Sequence, residues 1–256
     1  MTRRSAIGAL LGLDSERACS VLLDVRTGRI VNVQRADLAA QWVIPPGSTL
    51  KPLSLTALLQ SGKMRADERF VCPRRLEIGG RSYDCSHPRL GAPLDIAAAI
   101  AYSCNCFVAH FAQRFEPGEL ARFLRREKIG SESGIVSRAD DMTSRELQAI
   151  GESHVAVSPL GLASAYSRLA ARAPDPVLDG LEGAVEFGTA QLARLSNVRV
   201  AGKTGTVLLS TGTRAAWFAG FAPSRKAEVA IVAVVQGRSG GLDAAPIARR
   251  VLEGRL

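Results

Sequence analysis

"PPGSTLKP", residues 45–52, is the stretch on which the reading of this chain turns. A Pro-Gly pair, then Ser48, then Leu50, Leu53, Leu55, Leu58 and Leu59 describe a turn that opens an apolar helix near Ser48. Pro52 agrees with that start, because a residue without an amide hydrogen is tolerated only where the helix ladder has not yet closed. Residues three apart share a helix face, so Ser48 and Lys51 stand side by side. Two readings are open at this point. In one, Ser48 caps the helix and Lys51 reaches solvent. In the other, Lys51 is the base of a nucleophilic serine. An isolated S-x-x-K does not choose between them.

Composition narrows the choice of partner. The 256 residues suit one sizeable core, or one domain of two subdomains, and 46% hydrophobic against 22% charged residues argues for a globular chain. A net charge of +9 is compatible with nucleic acid, an anionic membrane or an acidic cell-wall polymer. The charge is scattered, however, and aromatic residues make up only 5%, so bases have little to stack on and nucleic acid is not an expected partner. Of 33 basic residues only five are Lys: Lys51, Lys63, Lys128, Lys203 and Lys226. An amine can lose its proton when desolvated and a guanidinium cannot, so each Lys in an Arg-preferring chain is a candidate for chemistry.

Cys19, Cys72, Cys85, Cys104 and Cys106 have neither the spacing of a paired zinc framework nor the density of a disulfide scaffold. Cys72 and Cys85 flank the turn at Gly79-Gly80 and could pair in an oxidising compartment; Cys104 and Cys106 are too close in sequence for an easy bridge. At the amino terminus, the apolar run Ala6 to Leu13 is too short to span a bilayer. It reads equally as the core of a secretory signal, with Arg3-Arg4 before it, and as a soluble first helix, and no cleavage site settles the matter.

Along the chain, "CSVLLDVRTGRIVNVQ" (19–34) reads as two strands joined at Thr27-Gly28. Residues 62–92 form a loop-rich excursion. Apolar helical stretches at 95–102 and 107–115 meet at "SCN" (103–105), and Pro117 opens a further helix. Thr143 and Glu146 read as a capping box, Ser158-Pro159 as the start of another helix, and a last helix of the middle region is expected near 183–195. The period then changes: "VRVAGKTGTVLL", "RAAWFAGFAP" and "AEVAIVAVVQ" are three β-rich runs, and "DAAPIARRVLEG" is a closing helix. The expected result is one antiparallel sheet built from both ends of the chain, with the helical middle on one side.

"GRSGG" (237–241) imitates a nucleophile elbow, but no His follows it, so Ser239 reads as a turn residue. Three other elements gain force together: "STLK" at 48–51, "SCN" at 103–105 and "KTGT" at 203–206, in this order and at these separations. With "TGRI", "AIAYSCNCFVAHFA", "VAVSPLGLASAY" and "AWFAGFAP", the chain resembles the transpeptidase domains of penicillin-binding proteins, in the superfamily of serine β-lactamases, over nearly its whole length.

The resemblance implies an α+β fold: a five-stranded antiparallel sheet flanked by helices, with an all-helical subdomain and the active site between them. It implies a single domain over 1–256, the sheet part from about 17–60 and 196–256 and the helical part about 61–195. Ser48 is then the acylated nucleophile, Lys51 its base, Ser103 a proton relay, and Asn105 the residue that holds Lys51 and the substrate amide. Amides of Ser48 and Thr206 form the oxyanion hole, and Lys203 with Thr204 and Thr206 binds a carboxylate beside a necessarily small Gly205.

The implied activity is that of a D,D-transpeptidase or carboxypeptidase acting on peptidoglycan stem peptides, with β-lactams as covalent inhibitors or substrates, on the extracytoplasmic side of the membrane. No metal or organic cofactor is implied. Asn105 stands where class D β-lactamases are usually apolar, and there is no clear deacylating Glu of the class A kind, Glu152 standing where transpeptidases tend to have Gln. These departures favour slow deacylation by water, as in a transpeptidase or carboxypeptidase. A β-lactamase and a non-turnover sensor or pseudoenzyme are the alternatives. Only about 45 residues separate Ser158 from Lys203, so the strands that often lie there are expected to be reduced, as in "APDPVLDGLEG".

Overall fold

The apolar runs at the two ends of the chain form one sheet, and both of its faces are covered. In the computed structural model, which describes residues 17–130 and 134–256, the five-stranded sheet consists of β1 (Ala18–Asp24), β2 (Ile30–Gln34), β7 (Ala201–Leu208), β8 (Arg214–Ala222) and β9 (Val229–Gln236). Their order is β2-β1-β9-β8-β7 and every pairing is antiparallel. The amino-terminal run Ala6 to Leu13 lies outside the described residues.

Burial on both faces explains why β8 and β9 read as nearly continuous apolar runs rather than as alternation. Trp217, Ala219 and Phe221 face one core with Val232 and Val234, while Phe218, Ala222, Ile231, Ala233 and Val235 face the other. The larger core holds α2 (Lys51–Gln60), α4 (Asn105–Ala112) and α7 (Pro159–Arg172), and α7 packs on β9, β1 and β8. The smaller core is closed by α9 (Ala245–Glu253), through Ala245, Ile247, Ala248 and Leu252. The helices therefore cover both faces of the sheet, as expected of a sheet flanked by helices.

Local signals account for many element ends. Gly28, at φ +69°, turns the first hairpin while Asp24 accepts hydrogen bonds from the Thr27 amide and hydroxyl, both at 2.7 Å. Ser158 caps α7 by accepting from the Gly161 amide at 3.1 Å, with Pro159 at the first helical position. Asp95 caps α3 (Ile96–Ala101), and α5 (Glu119–Arg126) begins just after Pro117. The loop-rich excursion holds a miniature ladder, β3 (Glu77–Ile78) with β4 (Arg81–Ser82), and β5 (Gly134–Val136) pairs with β6 (Val155–Val157).

Three expectations need correction. The cap of α6 (Met142–Ala149) is Asp141, which accepts from the Ser144 amide at 2.9 Å, and not Thr143. Asp141 is two residues upstream and, like Thr143, is a good N-cap type, so the capping-box pattern chose the wrong one. The stretch "DPVLDGLEGAVE" is a helix, α8 (Asp175–Glu186), and only a short 3₁₀ turn at Gln191–Ala193 follows where a helix was expected. Gly180 and Gly183 lowered its apparent helix propensity, yet they are the residues that let α8 approach α3: a Cβ on Gly180 would meet the Ile100 side chain at 2.7 Å. The six-residue helix α1 (Ala36–Gln41), directly after the first hairpin, was not foreseen.

The Ser48 turn is clamped by a glycine contact. Gly47 donates to the Gly151 carbonyl at 2.9 Å, and a Cβ on Gly151, whose φ is +81°, would lie 2.1 Å from the Gly47 oxygen. Gly151→Ala therefore combines left-handed strain with a backbone clash and is expected to cost about 3 kcal/mol. Urea denaturation should show a lower midpoint at an unchanged slope; an unchanged midpoint would mean that the turn does not depend on this contact.

Candidate active site

The segment 45–52 folds as a 3₁₀ turn, Gly47–Leu50, that runs directly into α2 at Lys51. Pro52 sits at the second position of α2, where no amide donor is needed. The turn leaves Ser48 half-buried while Thr49, Leu50 and Lys51 have no exposed surface. Ser48 makes no capping hydrogen bond at the start of α2. Thr49 donates its hydroxyl to the Pro46 carbonyl at 2.7 Å, and the Tyr166 hydroxyl donates to the Thr49 carbonyl at 2.7 Å. The solvent-reaching Lys51 of the capping reading is thus absent.

A fully buried ammonium must find acceptors. Lys51 Nζ donates to the Ser103 carbonyl at 2.8 Å, to the Ser103 hydroxyl at 3.3 Å and to Asn105 Oδ1. Ser103 provides two of these acceptors because it takes a left-handed conformation, φ 58°, at the junction of α3 and α4. Asn105 is oriented in turn, its Nδ2 donating to the Tyr83 carbonyl at 2.7 Å. Burial pulls the Lys51 ammonium down from 10.5 to about 8, against the upward influence of Cys104, Cys85 and Glu152. Burial raises the half-buried Glu152 carboxyl, against the Lys51 cation.

Strand β7, an edge of the sheet, supplies the other wall. Its Gly205 lies against the Ser48 turn so closely that a Cβ there would meet the Pro46 oxygen at 2.7 Å. Lys203 is fully buried, donates to the Thr204 carbonyl at 3.0 Å, and is held well below its ordinary value first by burial and then by the Lys51 cation. The Thr204 hydroxyl donates to Thr189 Oγ1 at 2.8 Å, and the hydroxyl of the exposed Thr206 accepts from the Gly240 amide at 3.0 Å.

Ser48, Ser103, Asn105, Thr204, Gly205 and Thr206 line one cleft of about 620 Å³. Lys51 and Lys203 lie beneath its floor. The structure thus brings together all eight residues singled out in the sequence. A half-buried hydroxyl three residues before a desolvated amine can undergo nucleophilic activation.

Sequence reasoning missed the Tyr83 carbonyl, Thr189 and Gly240. The first acts through its backbone and carries no side-chain signal, Thr189 sits in a turn outside every motif, and Gly240 belongs to "GRSGG", which was set aside as a turn. Ser239 is a turn residue as expected, accepting from the Leu242 amide at 3.2 Å, but it also lines the cleft.

The cysteines are also arranged otherwise than their spacing suggested. Cys72 and Cys85 are unbonded, with sulfurs 3.8 Å apart, and they gather with Cys104, Cys106 and His87 behind the "SCN" junction. The chain folds residues 72–87 back over that junction, which no local spacing pattern reveals.

A family model described as the penicillin binding protein transpeptidase domain matches residues 18–178 and 172–253. Among solved structures, the chain is similar to Pseudomonas aeruginosa PBP2 in complex with WCK 5153, at a TM-score of 0.85 and 20% identity over 98% of this chain and 76% of that one. It is also similar to the apo TP domain of Burkholderia pseudomallei penicillin-binding protein 3, at a TM-score of 0.84 and 19% identity over 97% of this chain and 89% of that one. These likenesses establish the fold.

The burial of Lys51 is directly measurable. In protein labelled with ¹³C at the lysine ε-carbons, the Lys51 resonance, assigned by its loss in Lys51→Arg, is expected to titrate near pH 8. A titration at the ordinary lysine value would show a hydrated amine and would remove the basis for a base at this position.

Proposed function

Because the chain belongs to the penicillin-binding protein transpeptidase family, we propose that it is a serine D,D-transpeptidase or carboxypeptidase acting on the D-Ala-D-Ala end of peptidoglycan stem peptides. One observation carries this reading: a buried Lys51, three residues from a half-buried Ser48, held by Ser103 and Asn105. The reading implies an extracytoplasmic location. No helix among the described residues is long and apolar enough to cross a membrane.

In this mechanism the neutral form of Lys51 accepts the Ser48 proton as the serine oxygen bonds to the penultimate D-Ala carbonyl carbon. The negative charge that develops on the carbonyl oxygen meets the amides of Ser48 and Thr206. Collapse breaks the peptide bond, and the departing D-Ala amine takes a proton through Ser103. An acceptor amine, or water in a carboxypeptidase, then releases the acyl group from Ser48. Thr204 and Thr206 hydroxyls hold the substrate carboxylate, with Lys203 behind them. As the last strand of the sheet, β7 offers backbone pairing to the extended peptide, and Gly205 lets that strand lie against the Ser48 turn. A β-lactam acylates Ser48 by the same steps, the ring C–N bond breaking and the ring nitrogen taking the proton, with its carboxylate in the same place.

A second reading, a β-lactamase, is favoured by one feature. Glu152 is a half-buried carboxyl next to the Gly151 clamp on the nucleophile turn and is felt by Lys51, where it could activate a hydrolytic water. Adduct lifetime separates the two readings, and a non-turnover sensor would form the adduct without any transpeptidation or carboxypeptidation.

Intact-protein mass spectrometry with a penicillin is expected to show one stable adduct on wild type and a loss of acylation of about 10³-fold or more in Ser48→Ala. An adduct on Ser48→Ala would overturn the assignment. Glu152→Gln should leave adduct lifetime within about twofold; a much longer-lived adduct in that variant, with drug hydrolysis by wild type, would establish the β-lactamase. Acylation should accelerate as pH rises through about 8, because the neutral amine is the competent form and the Lys51 ammonium loses its proton there. A rate that is flat from pH 6 to 9 would argue for another base.

A further inference from the structure

Four residues outside the reactive cleft meet with the geometry of a metal centre. Cys72, Cys85, Cys104 and His87 each offer a ligand atom within 4.8 Å of the others. The sulfur separations are 3.8 Å for Cys72 and Cys85, 3.7 Å for Cys85 and Cys104, and 3.4 Å for Cys104 and Cys72. A tetrahedron with zinc–sulfur bonds of about 2.3 Å has edges of about 3.8 Å, so the three sulfurs already lie close to three of its corners.

His87 gives an independent observation. The residue is 6% exposed; its Nδ1 lies 2.8 Å from the Pro88 carbonyl, while its Nε2 is buried without a hydrogen-bond partner. A carbonyl at Nδ1 places the ring proton there and leaves Nε2 with its lone pair free, the tautomer of a metal-ligating histidine. An orphaned buried acceptor is otherwise costly.

The surroundings also suit thiolates. Backbone amides point at all three sulfurs: Arg74 to Cys72 at 3.3 Å, Asn105 to Cys85 at 3.2 Å, and Phe107 to Cys104 at 3.4 Å. Such donors stabilise negative sulfur. Cys106, 3.5 Å from Cys85, instead donates to the Arg75 carbonyl at 3.6 Å, the role of a thiol. A cavity of about 640 Å³ reaches Cys72, Cys85 and His87 from solvent and is lined by Arg74, Arg75 and Arg89, whose charges offset an anionic centre.

We propose that Cys72, Cys85, His87 and Cys104 bind one thiophilic divalent cation, zinc by its fit to a closed Cys₃His tetrahedron. The centre is structural. Cys104 stands between Ser103 and Asn105, and the Cys85 sulfur receives the Asn105 amide, so the cation would tie residues 72–87 to the junction that holds Lys51. Its effect on acylation rests on the function proposed above; its existence does not.

The test is metal analysis of the full chain, without a polyhistidine tag, purified in reducing buffer with zinc supplied. About one zinc per chain is expected, and replacement by cobalt should give thiolate-to-metal charge-transfer bands with the visible bands of tetrahedral cobalt. Cys85→Ser should lose the bound metal, His87→Ala should weaken cobalt binding about tenfold or more, and Cys19→Ser should bind as wild type does. A chain with reduced thiols that takes up no stoichiometric zinc and gives no tetrahedral cobalt spectrum would overturn the proposal. So would a Cys72–Cys85 disulfide in the protein as purified with zinc present. Should Cys85→Ser fail to fold, the cobalt spectrum of the wild-type chain still decides. That spectrum makes no reference to catalysis, so failure of the metal site and failure of Ser48 to acylate are separate results.

Discussion

A lysine ammonium with no exposed surface sets the terms for this molecule. Removing such a charge from water costs several kcal/mol unless acceptors replace the lost hydration, and Lys51 recovers it from one short junction, residues 103–105. Ser103 must adopt a left-handed conformation to turn both its carbonyl and its hydroxyl inward, so α3 and α4 cannot be one continuous helix. Asn105 must be fixed so that its oxygen and not its amide nitrogen faces Lys51, and the Tyr83 carbonyl fixes it by taking the other end. The break between two helices and the position of a distant loop both follow from solvating one cation.

The same economy governs the nucleophile turn. Three layers converge on it: Trp217 of the sheet donates its indole N–H to the Pro45 carbonyl at 3.1 Å, Tyr166 of α7 to the Thr49 carbonyl, and Gly47 to the Gly151 carbonyl. Gly205 of β7 closes the fourth side by having no side chain. A 3₁₀ turn offers few internal hydrogen bonds. Its backbone is therefore held from outside by elements that are far apart in sequence, and Ser48 inherits its position from all of them.

Legibility in the sequence followed the range of the interaction. Local chemistry was readable: the Thr27-Gly28 turn, the Ser158-Pro159 helix start, and the long apolar strands 201–236 that both faces of a sheet require. The motif residues were readable too: six of them line the cleft, and Lys51 and Lys203 are buried beside it. What failed depended on contacts between distant segments. Helix α8 carries glycines that only its packing against α3 explains, and the cap of α6 was decided between two good candidates by the path of the loop. The cluster of Cys72, Cys85, His87 and Cys104 spans more than thirty residues with no motif spacing, and it exists only because the excursion folds back on the "SCN" junction.

That fold-back joins the two constraints. Asn105 is held at its side chain by Tyr83 and at its backbone amide by Cys85, residues two apart on the same loop. Loop 83–87 is otherwise poor in regular structure, with only the two-residue ladder of β3 and β4 before it. A segment so lightly braced would by itself fluctuate at low cost and would carry Asn105 with it. The buried cysteine cluster supplies the missing brace, by sulfur packing and N–H to sulfur bonds even before any ion is considered. The acceptor set of Lys51 therefore depends on a group of side chains that never touches the cleft, and substitutions there should reach the nucleophile through the position of Asn105.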